Sequence, residues 1–280
     1  MAIILDGRSL SSTIMEELKV KTEELKGRGV QPTLALILVG EDEYSRRYVE
    51  LKTKRCEEAG VAAQVHHHKQ ATHGELIELI RRLNADASVH GVMVQLPLPQ
   101  GLNELATVEA ISPDKDVDGL SPSTLGKILM GEEAFLPAGV EAITELLRRH
   151  GIEANGKHWV IVGLSNIIGK PLAAYLCNSK VAFTCCKADE PELAKYTKDA
   201  DVLVVDVGRK WFVTVDMVKR NVVILDNGNN YEGKKVYGDV DFDNIKEVAS
   251  AITPVPGGIG PLLITMLIRN TLKAAEQSSR

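Results

Sequence analysis

Two short segments of the sequence combine residue types that can hold a flat polar ring and move a proton beside it. In the first, Tyr48 and Lys52 stand four apart in a stretch, 43–60, whose pattern predicts a helix, so both side chains share one face. In the second, Asp118 belongs to the charged turn 115–119, which reads KDVDG. An aromatic platform, an amine and a carboxylate suit binding of a nitrogen-rich ring and proton transfer next to it.

The same residues also have an ordinary structural interpretation. A Tyr and a Lys on a helix are usually a half-buried ring and a solvated ammonium, and an Asp in a turn usually bonds its own backbone. Tyr44 and Cys56 extend the stripe along the helix without deciding between the two. On these residues alone the structural interpretation is favoured, so other segments must decide.

The composition indicates a globular protein that is large enough for two domains. The chain has 280 residues, of which 44% are hydrophobic and 25% charged, so it can bury a sizeable core. The net charge of -5 argues against a nucleic-acid or anionic-membrane partner. No run approaches the ~20 apolar residues that span a bilayer, and the N-terminus lacks a signal-peptide pattern. Because the four Cys include no C-x-x-C pair, we expect a reducing, cytoplasmic compartment.

Three consecutive histidines, His66, His67 and His68, resemble a metal-binding tract. Neighbours in a strand point to opposite faces, so at most His66 and His68 can share a ligand. We therefore expect a partly exposed strand end and no bound metal.

Predicted strands and helices alternate along the chain. Predicted strands cover 33–39, 61–67 and 91–96 in the first half, and a second series of strands and helices starts after Pro137. This βαβα order predicts an α/β fold with a parallel, doubly wound sheet in each half. We place the boundary within 122–138, which gives domains at 1–121 and 138–261.

A glycine-bearing turn follows a predicted strand at 159–163. It runs from Gly163 through Leu164 and Ser165 to Gly169, where α/β sheets bind dinucleotides on helix N-terminal amides. The spacing is not G-x-G-x-x-G, because Ser165 replaces the middle glycine. Glycines that serve backbone geometry alone remain the alternative.

The segment 254–261, PVPGGIGP, is rich in residues that shape the backbone. Prolines fix φ, and glycines such as Gly257 and Gly258 allow another group to approach the backbone closely. A loop of this kind either lies against a ligand or links two domains, and the residues leave both open.

Taken in order, these segments resemble the methylenetetrahydrofolate dehydrogenase/cyclohydrolase family. The first half matches the family pattern from Val39 through Tyr48 and Lys52 to Gly60, at Gln95-Leu96-Pro97-Leu98-Pro99, and at 115–119. The second half matches at 163–171, at Gly238-Asp239-Val240, and at 252–261. Because long motifs match over nearly the whole chain, the sequence is identified as a member of this family.

The resemblance implies a folate-binding catalytic domain and a Rossmann-type NAD(P)-binding domain with a cleft between them. The C-terminal helix, 262–280, would pack back on the first domain, and family members are usually homodimers. The implied activity is oxidation of 5,10-methylenetetrahydrofolate with NADP, followed by hydrolysis of 5,10-methenyltetrahydrofolate to 10-formyltetrahydrofolate. These tetrahydrofolate derivatives belong to one-carbon metabolism and purine biosynthesis, and NAD is possible as the cofactor.

The resemblance also implies roles for individual residues. Tyr48 would stack on the folate, Lys52 would assist water attack and proton transfer, and Gln95 would orient Lys52. Asp118 would accept hydrogen bonds from the pterin edge. The other implied substrate-binding residues are Pro256, Gly257 and Gly258, and the implied cofactor-binding residues are Gly163, Leu164, Ser165, Gly169, Lys187 and Asn229.

The chain departs from the family pattern on the cofactor side. Leu164 stands where an Arg is frequent, Cys186-Lys187 stands where a His-Ser pair is frequent, and 135–139, 226–230 and Leu263 also differ. A monofunctional cyclohydrolase with a drifted cofactor site therefore stays open, as does a folate- or nucleotide-binding regulatory protein without turnover. Because Lys187 can pair with a 2′-phosphate while Asp189 can accept from a ribose hydroxyl, we expect only a modest preference for NADP.

Overall fold

The computed structural model describes residues 2–279, along which helices and strands alternate. The elements up to residue 130 are β1 (Ile3–Ile4), α1 (Gly7–Gly27), β2 (Thr33–Val39), α2 (Glu43–Glu58), β3 (Ala62–His68), α3 (His73–Ala85), β4 (Gly91–Val94), α4 (Glu104–Glu109) and α5 (Pro122–Met130). The later elements are α6 (Ala138–Arg149), β5 (His158–Val162), α7 (Gly169–Leu176), β6 (Ala182–Cys186), α8 (Leu193–Thr197), β7 (Val202–Val205), a 3-10 turn (Val215–Met217), β8 (Val223–Asp226), β9 (Asn230–Glu232), β10 (Lys235–Tyr237), α9 (Phe242–Ile245), β11 (Ala251–Ile252) and α10 (Gly260–Ser278).

The described residues form two compact units. The first unit comprises Ser12–Ala138 together with 264–279, and the second comprises Gly139–Leu263 together with 2–11. Within the first unit, Asn270 of α10 donates from Nδ2 to the Val117 carbonyl at 2.9 Å and to the Leu136 carbonyl at 3.0 Å. The last helix is therefore tied to the first unit by side-chain hydrogen bonds.

These limits differ from the predicted boundaries in two places. Residues 2–11 group with the second unit rather than with 1–121, because Ile3 of β1 pairs in parallel with Ala251 of β11. The segment 122–138, in which the boundary was predicted, contains α5 and groups with the first unit, so the units divide at its end, between Ala138 and Gly139. Ser121 begins α5 by accepting the Thr124 backbone N–H at 3.1 Å, a favourable N-cap.

The sheet of the first unit is parallel, with strand order β3-β2-β4. Every residue of central β2 is buried, which explains its uninterrupted apolar sequence. One face of the sheet packs against α3 through Ala35, Ile37, Leu76 and Ile80. The helix α2, which carries the candidate lysine, starts where the Asp42 side chain accepts the Ser45 N–H at 2.7 Å.

The sheet of the second unit is also parallel, with strand order β1-β11-β8-β7-β5-β6. β5 lies between β6 and β7, so the winding direction reverses at its carboxyl end. Ligands of open α/β sheets bind at such a switch point. The predicted α/β class with parallel sheets is confirmed, and the glycine turn after β5 occupies the switch point.

Several short elements were not predicted. They include β1 and β11, with two residues each, and the antiparallel hairpin β9–β10, which turns at Gly233 with φ of 60°. Segments this short show no hydrophobic period, so only strand pairing defines them. β1 pairs with the distant β11, whereas β9 pairs with its neighbour β10.

Candidate active site

Lys52 lies on the buried face of α2, in line with Ser45, Val49 and Cys56. Only 8% of the residue is exposed, which is unusual for a lysine without partners. Its Nζ donates to Gln95 Oε1 at 2.8 Å and lies 3.3 Å from Met93 Sδ. The helix thus holds a buried amine against the end of β4.

Gln95 follows β4 directly, and hydrogen bonds fix both its backbone and its side-chain amide. Its backbone N–H donates to the Ile37 carbonyl at 2.8 Å, which extends the ladder to β2 beyond the strand end. Its Nε2 donates to the Leu96 carbonyl at 2.7 Å. Because the amide nitrogen is engaged there, the amide oxygen faces Lys52.

Burial brings the proton affinities of Lys52 and Asp118 towards each other. Burial lowers the pKa of Lys52 to about 8, while the negative charge of Asp118 opposes that shift. Burial raises the pKa of Asp118 to about 6, opposed by Lys52 and assisted by Asp116. The Asp118 residue is partly exposed, although its carboxyl is surrounded by protein. Both groups therefore titrate close to neutral pH, as acid–base residues require.

Asp116, two residues earlier, holds the turn in place. It is buried and accepts the Gly119 N–H at 3.1 Å, the Ser121 N–H at 3.0 Å and the Thr124 hydroxyl at 2.7 Å. The sequence analysis did not single out Asp116. The signal in the sequence was the pair of carboxylates, Asp116 and Asp118, on either side of the apolar Val117.

Tyr48 lies one turn before Lys52 and is partly exposed. Its ring centroid lies 4.8 Å from that of Tyr44 at an interplanar angle of 46°, and the two hydroxyl oxygens are 3.2 Å apart. The paired rings form a broad aromatic surface one helical turn before Lys52. Such a surface suits stacking against a flat heterocycle.

In the second unit, the turn after β5 is built around glycines. Gly163 has φ of 95°, and a side chain there would collide with the Asp206 carbonyl after β7. A side chain at Gly169 would collide with the Gly163 carbonyl. The Ser165 hydroxyl donates to Asp206 Oδ2 at 2.5 Å and accepts the Ile168 N–H at 3.0 Å, so it organises the turn.

The remaining cofactor-side candidates follow neighbouring strands of the same sheet. Lys187 comes directly after β6 and is exposed, and its ammonium has no hydrogen-bond or ion-pair partner within 2–279. Asn229 follows β8 and is also exposed. Leu164 is partly exposed and offers no polar side-chain atom. Because parallel strands end at one edge, these residues lie along the edge that carries the glycine turn.

The loop with Pro256, Gly257 and Gly258 is packed against its own unit. Gly257 has φ of 122°, and its carbonyl accepts the Arg8 N–H at 3.1 Å. A Cβ at Gly258 would lie 2.6 Å from Thr253 Cβ. The close approach that Gly258 permits is therefore to Thr253 and to the Pro254 carbonyl of the same loop, while Pro256 is exposed.

Two buried carboxylates fix the loops at the same edge. Asp226 accepts backbone N–H groups from Gly228, Asp239 and Val240 at 2.8, 3.1 and 3.0 Å. Asp239 accepts the N–H groups of Val207, Gly208 and Arg209 at 2.6, 2.9 and 2.9 Å, and that of the Asn230 amide at 2.7 Å. Burial raises the pKa of Asp226 to about 7. We call this pair the carboxylate clasp.

The histidine tract ends β3, where His67 and His68 are exposed. His67 Nε2 lies 2.8 Å from the Gly40 carbonyl. Among the residues that the structure describes, no three His, Cys, Asp or Glu side chains come together as a metal site. No helix within residues 2–279 is long and apolar enough to cross a membrane.

A parallel sheet with a glycine turn at its switch point, beside loops held by buried carboxylates, defines the class of dinucleotide-binding α/β proteins. The catalytic-domain model of the tetrahydrofolate dehydrogenase/cyclohydrolase family matches residues 5–118, and its NAD(P)-binding-domain model matches residues 137–279. The chain belongs to the tetrahydrofolate dehydrogenase/cyclohydrolase family, which confirms the family predicted from the sequence.

Similar proteins cover the whole length of the chain. The bifunctional protein FolD of Bacillus subtilis is 45% identical over 279 residues, 99% of each chain. The solved bifunctional enzyme FolD from Campylobacter jejuni is 42% identical and covers 99% of each chain, with a TM-score of 0.97. The Trypanosoma brucei methylenetetrahydrofolate dehydrogenase-cyclohydrolase, solved with an NADP cofactor and an inhibitor, is 32% identical, with coverage of 100% and 99% and a TM-score of 0.94.

Proposed function

We propose that the chain oxidises 5,10-methylenetetrahydrofolate to 5,10-methenyltetrahydrofolate with NADP and then hydrolyses the product to 10-formyltetrahydrofolate. Membership of the family and full-length similarity to enzymes described as bifunctional support both steps. The observation that carries the proposal is the buried amine of Lys52 on the fixed amide oxygen of Gln95. No structural requirement of the helix explains the burial of a lysine at that position.

In the hydrolytic step, Lys52 acts on the water that attacks the methenyl carbon. With a pKa of about 8, about one tenth of the amine is neutral at pH 7. A cationic methenyl group bound next to the amine lowers that pKa further, because like charges repel. The neutral amine accepts a proton from the attacking water and returns one when the ring opens, while Gln95 keeps the nitrogen in place.

Tyr48 and Asp118 place the substrate for both steps. The aromatic surface of Tyr48 stacks on the folate ring, and the Asp118 carboxylate accepts N–H groups from the pterin edge. The negative charge of Asp118 also favours the cationic methenyl form over the neutral methylene form. Substrate positioning and stabilisation of the cation therefore come from the same carboxylate.

The residues at the switch point fit a dinucleotide. Gly163 and Gly169 leave no side chain over the turn, and the backbone N–H of Gly169 at the start of α7 suits a pyrophosphate oxygen. The next two residues offer no free N–H there, because Lys170 donates to the Ser165 carbonyl at 3.0 Å and Pro171 has none. When bound, NADP accepts the hydride in the oxidation. Gly163, Ser165 and Gly169 shape the turn that holds the cofactor, and Lys187 and Asn229 lie at the adjoining strand ends.

A spectrophotometric assay tests the proposal directly. The purified chain is supplied with methylenetetrahydrofolate plus NADP or NAD, and separately with methenyltetrahydrofolate alone. We expect cofactor reduction in the first assay and loss of methenyl absorbance in the second. Hydrolysis without cofactor reduction would instead show a monofunctional cyclohydrolase, and folate binding without either reaction would show a regulatory protein.

We expect Asp118→Asn to raise the KM for folate substrates about tenfold or more, because the substitution removes charge-assisted hydrogen bonds worth about 1.5–3 kcal/mol each. The dissociation constant for NADP should stay within about twofold. Since the pKa of Asp118 is about 6, protonation should weaken folate binding by the wild type as the pH falls through 6. The exposed Asp114 provides the control Asp114→Asn. Reduced NADP affinity with unchanged folate KM would contradict this assignment.

We expect Lys187→Ala to raise the KM for NADP about two- to fivefold and to leave the KM for NAD unchanged. An exposed ammonium that meets a 2′-phosphate contributes up to about 1 kcal/mol, since solvent screens the pair. Lys198→Ala removes the same charge from another exposed position of the second unit and is the matched control. More efficient reduction of NAD than of NADP by the wild type would point to Asp189 as the ribose partner.

We further propose a homodimer that works in the cytoplasm, on the strength of the family resemblance. Sedimentation velocity at micromolar concentration should give about 61 kDa, twice the chain mass of 30.5 kDa. A concentration-independent monomer would exclude the homodimer.

A further inference from the structure

Besides Gln95, the amine of Lys52 contacts Met93, which the proposed mechanism does not use. It lies in β4 and is 7% exposed, and its Sδ is 3.3 Å from Lys52 Nζ. Met93 and Gln95 stand two residues apart, so their side chains point to the same side of the sheet. A sulfur atom and an amide oxygen therefore flank the amine from the same strand end.

We propose that Met93 is a positioning residue for Lys52, because its thioether occupies one N–H direction of the amine with an acceptor too weak to retain the proton. The inference rests on the proposed role of Lys52 as the base in methenyl hydrolysis. It concerns which way the amine presents its lone pair and how readily it loses a proton.

The geometry limits the orientation of the neutral amine. Both fixed neighbours, Gln95 Oε1 and Met93 Sδ, are acceptors, so each takes one of its two N–H groups. No other hydrogen bond to Lys52 Nζ exists within the described residues. The lone pair must then point in the remaining direction, away from β4, where an attacking water can meet it.

The chemistry of sulfur explains why this position favours a base. A thioether is a weak acceptor and a polarisable apolar group. An oxygen acceptor at the same place would stabilise the ammonium form and raise the pKa of the amine. The other groups that act on Lys52 are Asp118, whose negative charge is itself influenced by Asp116, and Cys56, whose pKa burial raises to about 12 so that it stays a neutral thiol.

Titration of the purified protein tests the inference without any substrate. The chain is labelled with 13C at lysine Cε, and the Lys52 signal is assigned by its loss in Lys52→Met. We expect Met93→Gln to raise the Lys52 titration midpoint by about one pH unit, since a full amide acceptor replaces the sulfur. Met93→Leu, which preserves volume but accepts no hydrogen bond, should lower the midpoint.

Val92→Ile is the matched control, because Val92 is buried in the same strand and packs with the α3 cluster on the opposite face. Its Lys52 midpoint should equal that of the wild type. If Met93→Gln does not fold, Met93→Leu alone decides, since Met and Leu exchange with little loss of packing. Wild-type midpoints in the folded Met93 variants would overturn the inference.

The hydrolysis assay separates this inference from the proposed function. We expect the apparent pKa in the pH–rate profile of methenyl hydrolysis to rise in Met93→Gln by as many pH units as the NMR midpoint. The KM for methenyltetrahydrofolate should stay within about twofold of the wild-type value. Shifted midpoints in a protein that lacks hydrolysis would refute the proposed function but leave the effect of Met93 on Lys52 intact. Hydrolysis with midpoints that do not move would refute the role of Met93 alone.

Discussion

Lys52→Met is expected to abolish methenyl hydrolysis, lowering kcat about 10²–10⁴-fold, the range that a positioned acid–base group contributes. Methionine keeps most of the length and apolar stem of the lysine but cannot accept a proton from water. Methionine carries no charge, so an apolar side chain fills the buried position of the amine. The helix, Gln95 and the aromatic surface of Tyr48 remain, so the dissociation constant for folate should change by less than about fivefold.

The measurement is the decay of methenyltetrahydrofolate absorbance, with folate binding followed separately by calorimetry. Lys54→Met provides the control, because Lys54 lies two residues away on the same helix and is exposed. In the wild type, hydrolysis should increase as the pH rises towards 8, since the amine must lose its proton to act and its pKa is about 8. If Lys52→Met hydrolyses methenyltetrahydrofolate at the wild-type rate, Lys52 has no part in the mechanism.

Asp239→Ala is expected to lower the free energy of unfolding of the second unit by about 3–5 kcal/mol. The substitution leaves three backbone N–H groups, those of Val207, Gly208 and Arg209, without the carboxylate that now accepts them. Asp239 is 0% exposed, so water cannot take its place without opening the loops. Asp239→Asn, which retains one oxygen acceptor, should fall between the wild type and the alanine variant.

Urea denaturation followed by tryptophan fluorescence measures this effect where it occurs. Both tryptophans, Trp159 and Trp211, belong to the second unit, so their emission reports on that unit. Asp243→Ala serves as the control, because Asp243 is exposed and forms a surface ion pair with Lys246. Its effect should stay below about 1 kcal/mol. If Asp239→Ala and Asp243→Ala unfold at the same urea concentration, the carboxylate clasp does not stabilise the unit.

The prediction of the fold from sequence succeeded where the pattern is local. The uninterrupted apolar run of β2 and the apolar strand before Gly163 could be recognised because strands covered on both faces contain few polar residues. β1 and β11 could not be recognised, since two residues carry no period and their pairing joins Ile3 to Ala251. The grouping of residues 2–11 with the second unit differs from the predicted limit for that reason.

The candidate site shows the same division. Tyr48 and Lys52 could be paired from helical spacing, because the helix fixes their separation. Met93 could not be found from the sequence, since a methionine in an apolar strand looks like any core residue. The clasp residues Asp226 and Asp239 are 13 positions apart, and only the folded loops show that each carboxylate accepts several backbone N–H groups. Contacts between a side chain and a distant backbone leave no periodic signal.

The parallel pairing of β1 with β11 also orders events during translation. The ribosome releases residues 3 and 4 long before their partner strand, which emerges only after about 250 further residues. At 5–20 residues per second, roughly 10–50 s separate the two events. Until then β1 has no partner, and the edge of β11 can be covered only once both strands are free of the exit tunnel. The second unit is therefore completed only after residue 252 has emerged, and a fusion or deletion at residues 2–5 would disturb this late assembly step of the second unit rather than the first unit, which follows β1 in the sequence.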